Sequence, residues 1–83
     1  MTRDTRFARL RYHSRRGMLE LDVLLIPFLD EQYEALNPAE LDTYEALLEE
    51  PDPDIYAWLM GYQDCDNEAY RALFRRIRAR IPE

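Results

Sequence analysis

The sequence predicts an all-α fold, a compact single-domain bundle of about five short helices over residues 1–83. Three observations carry this. Apolar residues return every three or four positions in successive segments, the period of a helix with one buried face. Each segment opens on a residue that caps helices, and the connections are short. The one run with strand character, Val23-Leu24-Leu25-Ile26, has no second strand candidate to pair with, so a sheet is rejected.

The elements follow in order. Residues 3 to about 14 read as a first helix, capped by Thr5 or Thr2, with Phe7 and Leu10 as a thin apolar stripe. Arg6, Arg9 and Arg11 are expected to face water, and Arg9 and Tyr12, three apart, to share a face. Ser14 to Arg16 is the break. A second helix is expected over about 16–36, its inner face formed by Met18, Leu21, Leu24, Leu25 and Phe28. Pro27 lies inside it, which predicts a kink near Val23 or a split into two helices.

Asn37-Pro38-Ala39-Glu40 is a strong helix start: a cap, a proline at the first helical position, and a glutamate that reaches back to the cap amide. The third helix then spans about 38–50 with Leu41, Tyr44, Leu47 and Leu48 inward, and Pro51 stops it. Asp52-Pro53 repeats the start signal, Asp54 favours the helix dipole, and Ile55, Trp58, Leu59 and Tyr62 share one face up to Gly61. Asp66 or Asn67 caps the last helix, about 67–80, with Tyr70, Leu73, Phe74, Ile77 and Ile81 inward and five arginines covering the rest.

Composition excludes several classes. The longest apolar run covers only Val23 to Ile26, so no transmembrane span is expected, and no apolar stretch follows the N-terminal arginines as a secretory signal requires. The single cysteine, Cys65, cannot form an internal disulfide, which fits a reducing compartment, the cytoplasm. Net charge is −6, but its layout says more. Residues 1–17 hold six arginines and one aspartate, residues 18–70 hold fifteen carboxylates and no Lys or Arg, and residues 71–83 hold five arginines and one glutamate. This basic–acidic–basic order predicts salt-dependent association. The acidic middle and the missing motifs argue against nucleic acid, and no Gly-rich phosphate loop is present.

The most informative stretch is Arg15-Arg16-Gly17-Met18-Leu19-Glu20-Leu21-Asp22, which holds the only glycine of the first sixty residues. From residue types alone, Gly17 gives a tight helix entry and Arg16 with Glu20, four apart, a weak surface ion pair. Arg-Gly-x-x-Glu in this setting resembles the signature of the SdhE-type FAD assembly factors, also called the succinate dehydrogenase assembly factor 2 family. About thirty residues on, Asp52-Pro53-Asp54-Ile55-Tyr56-Ala57-Trp58-Leu59-Met60 resembles the family's second block. The two blocks together, across roughly residues 7–81, form a specific signal, and the resemblance implies the same helical fold.

It also implies a non-enzymatic factor that binds the flavoprotein subunit of succinate dehydrogenase, with the fumarate reductase flavoprotein as a second client. The factor would promote covalent attachment of FAD to a histidine of that subunit and hold no cofactor stably itself. In the family the Arg-Gly-x-x-Glu surface meets the flavoprotein. Gly17 would permit close backbone approach, and Arg16 and Glu20 would set register. Arg15, Met18 and Asp22 flank this patch, and Arg9 and Tyr12 lie beside it if the first helix folds back. With the resemblance starting almost at the first residue, no removable leader is expected. The free chain is expected to be a monomer that touches neither nucleic acid nor membrane.

Other constellations read as structural. His13 has no His or Cys within five residues, and Asp64-Cys65-Asp66 reads as a helix cap rather than a metal site. Glu49, Glu50, Asp52 and Asp54 read as caps and a solvated face, and Trp58 as core. No nucleophile, base and orienter converge, which speaks against an enzyme. The rival reading is a general interaction module, such as an antitoxin-like regulator.

Overall fold

A computed structural model describes residues 4–80. Five α-helices follow one another: α1 (Thr5–Ser14), α2 (Leu19–Gln32), α3 (Pro38–Leu47), α4 (Asp52–Met60) and α5 (Glu68–Ala79), with one 3₁₀ turn, Tyr33–Ala35, behind α2. No strand occurs among the described residues. Leu10 of α1, Leu21, Leu25, Phe28 and Leu29 of α2, Tyr44 and Leu47 of α3, Ile55 and Leu59 of α4, and Leu73, Phe74 and Ile77 of α5 meet in one buried cluster. The 3.6-residue spacing read from the sequence therefore marks the inner faces, with Tyr62 the exception. Ile81 and Pro82 of the expected last turn, and Thr2 as a cap, lie outside the described residues.

Local chemistry corrects several boundaries. The cap of α1 is Asp4, not Thr5: its Oδ1 accepts the Phe7 amide at 3.0 Å. A donor bond from the Tyr33 hydroxyl, with the Phe7 bond behind it, holds the Asp4 carboxyl below its usual range. α2 starts at Leu19 rather than Arg16 because Gly17 sits at φ +80°, outside helical space, and Met18 is extended. It runs unbroken through Pro27 to Gln32, which rules out the alternative of two helices split at the proline. Val23, whose carbonyl the proline cannot serve, is 54% exposed and open to water. α3 ends at Leu47, short of the expected Glu50, and its start carries the expected capping box: Asn37 accepts from the Glu40 amide while Glu40 accepts from the Asn37 amide. The Asn37 amide, with Arg76 behind it, lowers the Glu40 pKa.

α4 ends at Gly61 as expected but differs at its start and in the placement of Tyr62. Pro51 is the residue before the helix and makes no side-chain cap; Asp52, expected to cap, stands in the first turn with its carboxylate turned elsewhere. Gly61 closes the helix at φ +78° and the Tyr62 amide folds back to the Ala57 carbonyl at 2.9 Å. That turn carries Tyr62 off the helical face, and its ring is 75% exposed, not inward as the spacing suggested. Trp58 is half-buried against Tyr70 and Phe74, with ring centroids 6.0 and 6.1 Å away. Asn67 caps α5 by accepting the Tyr70 amide.

The charge order along the chain resolves into topology. Arg6 and Arg9 of α1, expected to face water, reach Asp42 and Glu45 on α3, and Arg11 pairs with Asp30 on α2. From the other end, Arg76 of α5 pairs with Glu40 at 2.8 Å and Arg80 with Glu31, whose pKa falls as a result. The basic ends thus wrap the acidic middle. Each exposed pair contributes little alone, but opposite charges placed this way disfavour other packings.

One polar clamp is fully buried. Ser14 donates to the Leu10 carbonyl at 2.8 Å, so at its 2.6 Å contact with Tyr44 the tyrosine hydroxyl donates. Burial pushes the Tyr44 pKa up. Ser14→Ala strips that hydroxyl of its acceptor and is expected to cost about 1–3 kcal/mol in denaturant unfolding. Adding Tyr44→Phe removes the stranded group and should recover much of the loss. A double variant no more stable than the single one would show that the clamp acts through packing instead.

Candidate functional site

Four residues turn the chain from α1 into α2, and three of them are backbone specialists. Arg15 leaves α1 in an extended conformation, its amide donating to the Tyr12 carbonyl at 3.2 Å. Gly17 takes the left-handed conformation that L side chains resist. Met18 is extended again, and its carbonyl receives the Leu21 and Asp22 amides at 3.0 and 2.9 Å. A Cβ built on Gly17 would meet nothing within 4 Å. Glycine is therefore demanded here by dihedral angle, not by crowding within the chain, and the space above it is open.

The corner is held from beneath by Arg16. Its Nε binds Asp52 at 2.7 Å, its guanidinium donates to the His13 carbonyl and the Leu48 carbonyl at 2.9 Å each, and a longer bond of 3.3 Å reaches the Glu50 carbonyl. One side chain thus ties the end of α1, the end of α3 and the start of α4 together. Its backbone amide donates to the Asp22 carboxylate at 2.7 Å, which pins the loop to the first turn of α2. The Arg16 side chain is only 16% exposed and Asp52 29%. The surface pair between Arg16 and Glu20 suggested by their spacing does not form. The residue types were right, but the partner lies in the second sequence block, 36 positions away.

The other candidates separate into two groups. Asp22 and Met18 are half-buried and serve the frame, Met18 packing against the core cluster. Arg9 is engaged with Glu45 at 3.1 Å and belongs to the α1–α3 seam. Tyr12, Arg15, Gly17 and Glu20 face outward. Neither Arg15 nor Glu20 takes an ion pair or side-chain hydrogen bond among the described residues. Tyr12, His13 and Arg15 rim a depression of about 330 Å³ whose floor is Arg16 and Asp52. Opposite free charges therefore flank an open glycine backbone on a braced corner.

Sequence reasoning missed two outward residues. Leu19 and Val23 are 72% and 54% exposed, one helical turn apart on α2. The signal was present as an apolar i, i+4 pair lying off the inner face of Met18, Leu21, Leu25 and Phe28. His13 and Cys65 line different depressions, and no group of three or more His, Cys, Asp or Glu is placed to hold a metal among the described residues.

A family model described as flavinator of succinate dehydrogenase, Sdh5, matches residues 8–81. The chain belongs to the Sdh5 family. A Vibrio cholerae relative named FAD assembly factor SdhE is 46% identical over 70 residues, covering 84% of this chain and 81% of that one. A relative of the same name from Pseudomonas syringae pv. tomato is 42% identical over 81 residues, 98% and 96% of the two chains. A solved structure described as the solution structure of UPF0350 protein superposes with a TM-score of 0.79 at 43% identity, covering 95% of this chain and 84% of the other. The Sdh5 family is one of assembly factors rather than of enzymes, and no helix among the described residues is long and apolar enough to cross a membrane.

Proposed function

We propose that the Gly17 corner docks on the flavoprotein subunit of succinate dehydrogenase and promotes covalent attachment of FAD to a histidine of that subunit. The observation that carries this reading is the geometry of the family signature. Its glycine is open to solvent, its two unpaired charges, Arg15 and Glu20, flank that glycine, and its remaining polar groups brace the turn. A corner so shaped can bring its backbone into contact with a partner. The bond-forming chemistry belongs to the flavin and the flavoprotein. The corner contributes by holding one arrangement of the partner's domains, which aligns flavin and histidine and reduces the entropic share of the barrier. FAD enters as the group joined to the partner, not as a cofactor of this chain, and the fumarate reductase flavoprotein is a second client by the same contacts. The factor acts as a monomer in the cytoplasm and leaves after the attachment.

The roles divide accordingly. Glu20 meets a cation of the partner, Arg15 an anion, and Gly17 gives the room. Arg16 and Asp22 position the others. The test is in-gel flavin fluorescence of the denatured flavoprotein after co-expression with and without this chain. A bright band only with the wild type is expected, and Glu20→Ala should lower affinity for the flavoprotein about tenfold without changing the melting temperature. Equal bands in both lanes would refute the assembly role and leave an interaction module whose partner is another protein.

A further inference from the structure

The corner continues into an uncharged strip along the outer side of α2. Leu19 and Val23 stand one turn apart, with Ile26 and Pro27 half-buried behind them. At 1.5 Å rise per residue the strip from Leu19 to Pro27 is about 12 Å long. Among the charged residues of the first turns of α2, Glu20 faces outward beside it, while Asp22 is turned into the loop under the Arg16 amide. The next carboxylates, Asp30 and Glu31, are taken by Arg11 and Arg80. A single exposed leucine needs no explanation. Two large apolar side chains in register, starting two residues after an open left-handed glycine, form a surface that water covers poorly.

We infer that the Leu19–Val23 ridge is the affinity-setting contact with the flavoprotein, filling an apolar groove on that partner with a cationic side chain at the groove's Glu20 end. This rests on the corner docking reading and assigns a division of labour within it. The occupant is the flavoprotein because the ridge is continuous with Gly17 and Glu20. Whatever covers that backbone and that charge must also cover a side chain one turn further along the same helix. The charges Arg15 and Glu20 act at long range and steer encounter, so they set the association rate and its salt dependence. The ridge acts only once water has been expelled, so it sets the dissociation rate. Both residues are exposed in the free chain, so neither stabilises the fold, and their truncation should be silent until the partner is present.

The experiment measures association and dissociation rates of the apo-flavoprotein with wild type, the double variant Leu19→Ala/Val23→Ala, and Glu20→Gln, each at low and high salt. Alanine keeps helix propensity, so the double variant should melt with the wild type. Its dissociation rate should rise about tenfold or more, with association rate and salt slope unchanged. Glu20→Gln should slow association and flatten the salt dependence. A double variant that dissociates like wild type, while Glu20→Gln still binds more slowly, would overturn the ridge assignment and leave the corner reading standing. A wild type that does not bind the flavoprotein would overturn both. A free chain that sediments as a dimer, and as a monomer once the ridge is truncated, would give the ridge to a second copy and overturn the inference as well.

Discussion

Gly17→Arg is expected to abolish flavinylation of the partner while the helical circular dichroism spectrum persists. Two effects act on this position. The left-handed backbone, φ +80°, costs an L residue about 1–2 kcal/mol, so the variant is destabilised but not unfolded. No atom within 4 Å opposes the new Cβ, so the chain itself has room for the side chain. The arginine must then project from the corner into the space where the partner's surface would lie, beside the unpaired Arg15. The loss of function should exceed what the loss of stability explains.

Gly17→Asn separates the two effects, since asparagine tolerates the left-handed region and still adds a side chain. If docking demands a bare backbone, Asn should melt closer to wild type than Arg does and still fail to support a bright flavin band. An Asn variant with full flavinylation would place the whole requirement in the turn and remove the close-approach argument. A Gly17→Arg protein without helical signal would do the same by a different route.

What could be read in the sequence, and what could not, follows from the range of the interactions involved. The inner faces of α2, α3 and α5 were legible because helical period is local, and so was the Asn37 capping box, whose atoms lie within four residues. The Asp4 cap was missed because threonines crowd the same segment and all are competent caps. The corner was marked by its glycine and by family resemblance, but the direction of each side chain was not. Arg16 next to Gly17 and four before Glu20 looked like a surface residue. It turns inward because the ends of α1 and α3 meet the start of α4 under it, offering the His13, Leu48 and Glu50 carbonyls and the Asp52 carboxylate to one guanidinium. Likewise Leu19 and Val23 were passed over because a buried face already accounted for the helix, and only tertiary packing decides which apolar residues are left outside. The segregated charges suggested salt-dependent association; once folded, the basic ends lie against the acidic helices they complement.

Arg16→Ala is the substitution expected to weaken the fold most among the corner residues. It removes the ion pair with Asp52 and leaves the Leu48, Glu50 and His13 carbonyls without their common donor. Breaking a fully buried pair costs about 3–5 kcal/mol; with Arg16 and Asp52 still partly wet, about 2–3 kcal/mol is the expected loss in denaturant unfolding. Arg16→Lys should recover little, because one ammonium cannot serve Asp52 and carbonyls on different elements in the planar pattern a guanidinium allows. Asp52→Asn should cost less, since the carbonyl bonds to Arg16 survive it. The cycle Arg16→Ala, Asp52→Asn and the pair of them together should show coupling of about 1 kcal/mol or more. The same variants decide what Arg16 does for docking. As a positioning residue it acts through the turn, so Asp52→Asn, on a different helix, should reduce affinity for the flavoprotein in the same direction as Arg16→Ala, in proportion to the loosening of the corner. Were Arg16 itself a contact, freeing it from Asp52 would leave binding intact or strengthen it, and Arg16→Ala would lower affinity with little change in unfolding free energy. That pattern would return Arg16 to the outer surface of the signature and leave Asp22 alone beneath the glycine.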